Sequence, residues 1–209
     1  MSEMAHDLRL PGLDVSRETI ARLEQYEALL KKWNPAINLV SAPTLAQVWD
    51  RHFLDSAQIF AIARPKSGLW ADLGSGGGFP GLVLAVLAKE FAPDLKLTLV
   101  ESDHRKSAFL MTVARELGLS VQVIAKRIEA APALAAEYLS ARALASLEAL
   151  LGFCELHLAP GGTAYFPKGA QWKEELSAAQ KIWSFDCKAH PSVTDSEAAI
   201  LEITGVRRV

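Results

Sequence analysis

The sequence predicts an α/β fold: a largely parallel sheet with helices on both faces, an N-terminal helical cap and an antiparallel C-terminal hairpin arm. Three observations predict it. From residue 67 onward, short apolar runs alternate with segments of helical period, the pattern of repeated βαβ units. The first run, residues 69–73, leads straight into a loop with five glycines in the eight positions from Gly74 to Gly81, and then into an apolar helix over 82–90. The second run, residues 95–100, ends on an acid, Glu101. Such a loop requires a backbone that turns sharply or admits a ligand where a Cβ would stand. The helix behind it aims unpaired N–H groups at the same place.

Taken in order, residues 1–15 read as a loose lead-in. Ser16 is a good N-cap with Glu18 in the first turn. Ile20, Leu23, Tyr26, Leu30 and Trp33 recur at three and four, one apolar face of a helix that Asn34-Pro35 is expected to stop. Thr44 is expected to cap a second helix carrying Leu45, Val48 and Trp49; Arg51-His52-Phe53-Leu54-Asp55-Ser56 and an apolar stretch to Ala63 follow. No polar linker intervenes before strand one, so residues 1–66 read as a cap on the core, 67–209, within one domain.

After Glu101, residues 102–117 read as a helix closed by Gly118. Strand three is 121–124, with Lys126-Arg127-Ile128-Glu129 at its carboxyl end; strand four is 138–142; a helix spans 146–157. Ala159-Pro160-Gly161-Gly162 reads as a turn into strand five, 163–166, and 171–181 as a polar helix. Residues 185–189 and 198–203 read as the hairpin arm. Ligands of such sheets bind beyond the carboxyl ends of the strands. Asp72, Gly74, Glu101, Ile128, Glu129 and Arg142 all fall at those ends.

Composition narrows the function. The net charge of −2 argues against a broadly basic nucleic-acid binder and leaves a local basic patch open. Cys154 and Cys187 are too few for a disulfide framework and lie in no C-x-x-C or Cys/His cluster, so no metal is expected and a reducing cytoplasm is. The charged amino terminus does not read as a signal peptide, and none is expected. The longest apolar run, 81–88, is too short to span a membrane. A monomer is the default expectation.

The glycine loop has two main readings. Gly76, Gly78 and Gly81 fit the dinucleotide fingerprint G-x-G-x-x-G. Counted from the first loop glycine, Gly74, its third position falls on Phe79 instead. The run Asp72-x-Gly74-x-Gly76-x-Gly78 resembles motif I of the class I S-adenosylmethionine-dependent methyltransferases, a Rossmann-like fold whose loop wraps the amino-acid end of the cofactor while the strand-two acid holds the ribose. A turn with no ligand is the bland alternative.

Further segments carry a closer resemblance. They are Lys32-Trp33-Asn34-Pro35 with Asn38-Leu39, Arg51-His52-x-Leu54-Asp55-Ser56, the loop through Gly77-Gly78-Phe79-Pro80-Gly81, Glu101-Ser102, Arg127-Ile128-Glu129, Ser140-Ala141-Arg142-Ala143 with Ala145-Ser146-Leu147, and Lys168-Gly169. Together they resemble the bacterial 16S rRNA guanine-N7 methyltransferase G family, also called glucose-inhibited division protein B, over about residues 20–203. The chain has Ala141 before Arg142 where the family often has Ser. The resemblance implies a cytoplasmic enzyme that uses S-adenosyl-L-methionine to methylate N7 of one guanine in 16S rRNA, on naked rRNA or a small-subunit ribosomal particle. It implies cofactor contacts at Gly74, Phe79, Ile128, Glu129 and Arg142.

The residues themselves suggest roles beside this. Glu101 suits the ribose diol; the alternative is an acid favouring the dipole of the next helix. Asp72 suits a position behind the loop, with Gly76 and Gly78 in it; a strand-end cap is its alternative. Guanine N7 has a free lone pair, so no general base is needed and no catalytic residue is named. Arg142 offers a planar fork for a carboxylate or phosphate, against a structural ion pair. Arg51, His52 and Lys168 are candidates for positioning the substrate, with Lys126, Arg127, Arg105 and Lys106 as a basic rim; for each the alternative is a packed histidine or a solvated charge. A nicotinamide oxidoreductase and a ribosome-assembly protein without turnover are the competing functions.

Overall fold

The computed structural model describes residues 13–209, so most of the expected lead-in, residues 1–15, lies outside the described residues. Ser16 caps α1 (Arg17–Ile37), its hydroxyl accepting from the Thr19 amide. Ser16 and Thr19 also donate to the Glu90 carboxylate, fastening the cap to the far end of the helix behind the glycine loop. Pro35 does not stop α1; the helix runs to Ile37 and closes on Asn38 at φ 49°. A proline so near the end removes one bond of the last turn. Asn34 Oδ1 then accepts from the Val40 amide and turns the chain.

The second helix is shorter than expected. Ser41, not Thr44, is the N-cap of α2 (Ala42–Leu45), because Pro43 fits only the first turn of a helix. A π-helical turn, Trp49–Leu54, carries Arg51 and His52 and runs into α3 (Asp55–Ala63). Wide turns of this kind re-aim side chains and are frequent at functional sites.

The alternating unit follows: β1 (Ser67–Leu73), α4 (Gly81–Phe91), β2 (Asp94–Val100), α5 (His104–Glu116), β3 (Val121–Ile124), a 3-10 turn Ile128–Ala130, β4 (Ala136–Ser140), α6 (Leu147–His157), β5 (Leu158–Lys168), α7 (Trp172–Ala179), β6 (Trp183–Pro191) and β7 (Ala199–Arg208). Strand four therefore ends at Ser140, leaving Arg142 in the loop beyond it. The expected turn at 159–162 lies inside β5. The pairing with β4 shifts register between Ala136 and Tyr138, which absorbs the Pro-Gly-Gly insertion.

The seven strands stand in the order β3-β2-β1-β4-β5-β7-β6. The first five are parallel; β7 is antiparallel to both neighbours and lies between β5 and β6. The order reverses between β1 and β4, which opens a crevice beyond their carboxyl ends. Two apolar clusters cover the faces. One joins the cap side chains Leu23, Tyr26, Leu30 and Phe53 to Leu82, Leu87 and Phe109; the other joins Leu139, Leu147, Leu151 and Phe166 to Leu201. Among the described residues no helix is long and apolar enough to cross a membrane.

Candidate active site

The crevice holds a cavity of about 520 Å³. Its walls include Gly74 and Gly76 of the loop, Phe79, Glu101 after β2, Ile128 and Glu129 after β3, and Arg142 after β4. Gly74 stands at φ +64°, and a Cβ there would come within 2.6 Å of Leu144 Cδ1 on the opposite wall. A side chain at Gly74 would thus close the space the backbone leaves open. Glu101 is 8% exposed, and its two oxygens accept from the Gly76 and Asp103 amides, each at 2.8 Å. The carboxylate is therefore oriented by the loop and by the start of α5, with lone pairs left for a ligand's hydroxyls.

Two sequence candidates lie off this wall. Asp72 is fully buried behind the loop, where Oδ1 accepts from the Ser140 hydroxyl at 2.7 Å and Oδ2 from the Gly81 amide at 3.2 Å. Burial outweighs these hydrogen bonds and pushes its pKa up to about 6. Gly81 must lack a side chain, since a Cβ would meet Leu99 at 2.3 Å and Asp72 Oδ2 at 2.7 Å. Gly78 faces the core, against Leu82 and the Tyr26 hydroxyl. These positions hold the loop rather than line the cavity.

A second cavity of about 400 Å³ adjoins the first. Arg51, His52, Asp55, Lys168 and Asp195 line it, and Arg142 and Ala143 belong to both walls. Arg142 Nη1 donates to Asp55 Oδ2 at 3.2 Å and to the Arg51 carbonyl at 3.0 Å; Nη2 donates to His52 Nδ1 at 2.7 Å. Its guanidinium also lies 5.1 Å from the centre of the Phe79 ring. Because Arg142 can only donate, His52 carries its proton on Nε2, which is buried without a partner among the described residues. Burial, and after it the charges of Arg142 and Arg51, lower the His52 pKa to about 3. The imidazole is neutral at any physiological pH.

The basic candidates separate. Lys106, Lys126 and Arg127 line the first cavity. Arg105 is exposed beside Asp103. Lys168 is already engaged, 2.7 Å from Glu175 and donating to the Ala145 carbonyl at 2.9 Å.

Three residues matter here that sequence reasoning gave no role in the site. Tyr26, on the buried face of α1, donates its hydroxyl to the Gly77 carbonyl, and its ring stacks with Phe79 at 5.4 Å. His157, fully buried at the end of α6, donates from Nε2 to the Ile128 carbonyl at 3.0 Å and so fixes the turn on the first cavity's wall. Asp55 joins Arg142 to Thr194, whose hydroxyl donates to Oδ1 at 2.9 Å, and thereby to the loop between β6 and β7. The first two were visible only as an apolar stripe and a helix end; the third only as part of a conspicuous segment.

Known proteins resemble this chain in sequence and in fold. The family described as rRNA small subunit methyltransferase G matches residues 19–204. The chain is 57% identical over 197 residues to the ribosomal RNA small subunit methyltransferase G of Ruegeria sp. (strain TM1040), covering 94% of this chain and 96% of that one. It is 54% identical to that of Paracoccus denitrificans (strain Pd 1222), covering 93% of this chain and 99% of that one. A solved SAM dependent methyltransferase from Aquifex aeolicus shares the fold, with a TM-score of 0.58 at 11% identity over 85% of this chain and 96% of that one. With relatives this similar spanning nearly the whole chain, the nicotinamide alternative falls away, and the protein belongs to the rRNA small subunit methyltransferase G family.

Proposed function

We propose that this protein transfers a methyl group from S-adenosyl-L-methionine to N7 of one guanine in 16S rRNA, with the cofactor in the first cavity and the target base in the second. Family membership gives the enzyme class, an S-adenosylmethionine-dependent methyltransferase of small-subunit rRNA. The observation that carries the division of labour is the shared wall: Arg142 borders both cavities, at the carboxyl end of the strand where the sheet order reverses.

The first cavity suits this cofactor. Gly74 and Gly76 leave backbone open to its amino-acid end, the Glu101 carboxylate receives the ribose hydroxyls, and Ile128 with the Glu129 backbone meets the adenine. Arg142 and Phe79 close the end nearest the second cavity. Asp72 and Gly78 act from behind, by holding the loop. The bound cofactor supplies an electrophilic methyl on a sulfonium.

The chain's own residues then orient and enclose. Reaction is an in-line displacement, and its rate depends on holding the nucleophile at the right distance and angle. Arg142, fixed by Asp55, His52 and Phe79, sets the partition against which the base stops. Neutral N7 needs no deprotonation, so His52 is a neutral wall of the site and not a base. Charge passes from sulfur to purine with little net creation, so no large electrostatic stabilisation is required. Exposed Lys126 and Arg127 with Lys106 receive the rRNA phosphates.

Within the stretch 1–66, the described residues, from 13 on, serve as a cap on the core 67–209, since α1 and α4 share one apolar cluster. An rRNA substrate and the two free thiols, Cys154 and Cys187, support a cytoplasmic location. The test is methyl incorporation from labelled cofactor into 16S rRNA or small-subunit particles, with reverse-transcription mapping of N7-methylguanine. Label without N7-methylguanine removes the proposed acceptor atom; binding of cofactor without label leaves the assembly-protein function.

A further inference from the structure

The second cavity must accept guanine and refuse adenine, because both purines present an N7 lone pair. Discrimination has to come from the other edge, where guanine shows the O6 acceptor beside the N1 and N2 donors and adenine shows the reverse order at N6 and N1. The wall offers three carboxylates. Asp55 is fully engaged by Arg142, Thr194 and Gln58. Glu175 is held by Lys168 and by the Leu147 amide. Asp195 differs: among the described residues Oδ1 accepts only from the Glu197 amide, at 3.0 Å, and Oδ2 stands 3.9 Å from Arg51 Nη1. At that distance the pair attracts but makes no hydrogen bond, so Arg51 keeps donors and Asp195 an acceptor for a third party. Both line the cavity and are near half exposed, 46% and 41%.

The connections tie this pair to Arg142 by two routes. One runs through the Arg51 backbone, whose carbonyl accepts from Arg142; the other runs through Asp55 to Thr194, next to Asp195. The pair therefore lines the same cavity as the partition and keeps its place relative to it.

We propose that Arg51 and Asp195 read the Watson–Crick edge of the target guanine, Arg51 donating to O6 and the Asp195 carboxylate accepting from N1–H and N2–H. This rests on the proposed assignment of the second cavity to the base. Adenine would set its N6 donors against the guanidinium and its N1 lone pair against the carboxylate, so both contacts turn repulsive. The same carboxylate faces a purine that becomes cationic as N7 is methylated. Its hydrogen bonds then strengthen toward the transition state, which is where they raise the rate.

The experiment is single-turnover methylation of 16S rRNA carrying guanosine or inosine at the mapped position, by wild type, Asp195→Asn and Asp195→Ala, with cofactor affinity measured in parallel. Inosine lacks only the 2-amino group. Wild type is expected to prefer guanosine by about tenfold, and Asp195→Ala to treat the two alike, with its guanosine rate down by on the order of tenfold to a hundredfold. Cofactor affinity stays unchanged in both variants. An unaltered guanosine-to-inosine ratio in Asp195→Ala overturns the assignment of Asp195 while leaving the cavity's occupant standing. Failure of wild type to form N7-methylguanine on any small-subunit RNA overturns both.

Discussion

Arg142 is the residue on which the two cavities turn, and it spends its donors on Arg51, Asp55 and His52. Arg142→Ala is expected to slow single-turnover methyl transfer by on the order of a hundredfold, the scale of an ångström-sized misplacement. His52→Ala is expected to cost far less. Neither the wild type nor this variant should show an inflection from position 52 between about pH 6 and 9, because His52 titrates near 3 and stays neutral throughout. A wild-type rise through an ordinary histidine pKa of about 6.5 that His52→Ala abolishes would make His52 a base. Asp72 makes a different forecast. Its folded pKa of about 6 exceeds its ordinary value of 3.8, so the native state holds a proton more tightly than the unfolded chain. Its contribution to stability falls as pH rises from about 4 to 6, by about 3 kcal/mol, and is then constant. The pH-dependent difference in urea stability between wild type and Asp72→Asn should follow that slope; a parallel pair of curves contradicts it. At this scale the sequence showed Glu101 and Arg142 because strand ends are countable. It did not show Tyr26 or His157, because helical period says that a side chain points inward and not which carbonyl it meets.

Among elements, the glycine loop depends on a helix far away in sequence. The Tyr26 hydroxyl on α1 is the hydrogen-bond partner of the Gly77 carbonyl. Tyr26→Phe leaves that buried acceptor without its donor, at about 1–3 kcal/mol of stability. Cofactor affinity is expected to fall about fivefold in the folded variant, for a loss of about 1 kcal/mol of loop order. Wild-type affinity in a destabilised Tyr26→Phe would show that the loop holds its shape without the cap. The regular elements were legible: strand three matched at 121–124, and the helices after β1, β2 and β4 fall within a few residues of their expected bounds. The misses share a cause. Pro35 and Pro160 were each read as breaks, whereas a helix end and a strand bulge both tolerate the missing N–H. The π-helical turn at Trp49–Leu54 has no periodic signature short enough to read, yet it delivers His52 to Phe79, with ring centroids 4.6 Å apart.

Over the whole molecule, a net charge of −2 hides a local concentration of cations, Lys106, Lys126 and Arg127, on one cavity wall. If these meet phosphates, log affinity for single-stranded rRNA should fall linearly with log salt at about −0.7 per phosphate neutralised. The double substitution Lys126→Ala, Arg127→Ala should flatten that slope, while Lys168→Ala, already paired with Glu175, should not. Equal slopes for all three proteins would move recognition away from this rim. The parallel five-strand half of the sheet was legible from alternation alone. The interior place of β7 was not, since a hairpin reads the same whichever of its strands lies outside. That placement bears on synthesis. β6 runs parallel to β5 and both precede β7, so a nascent chain paused after β6 presents two open edges that suit each other. Direct pairing would fill the slot β7 needs, and Ala199 and Ile200 would then be missing from the second cavity's wall. A chain stalled before β7 therefore lacks part of the second cavity's wall and carries unpaired strand edges, the kind of surface that invites aggregation.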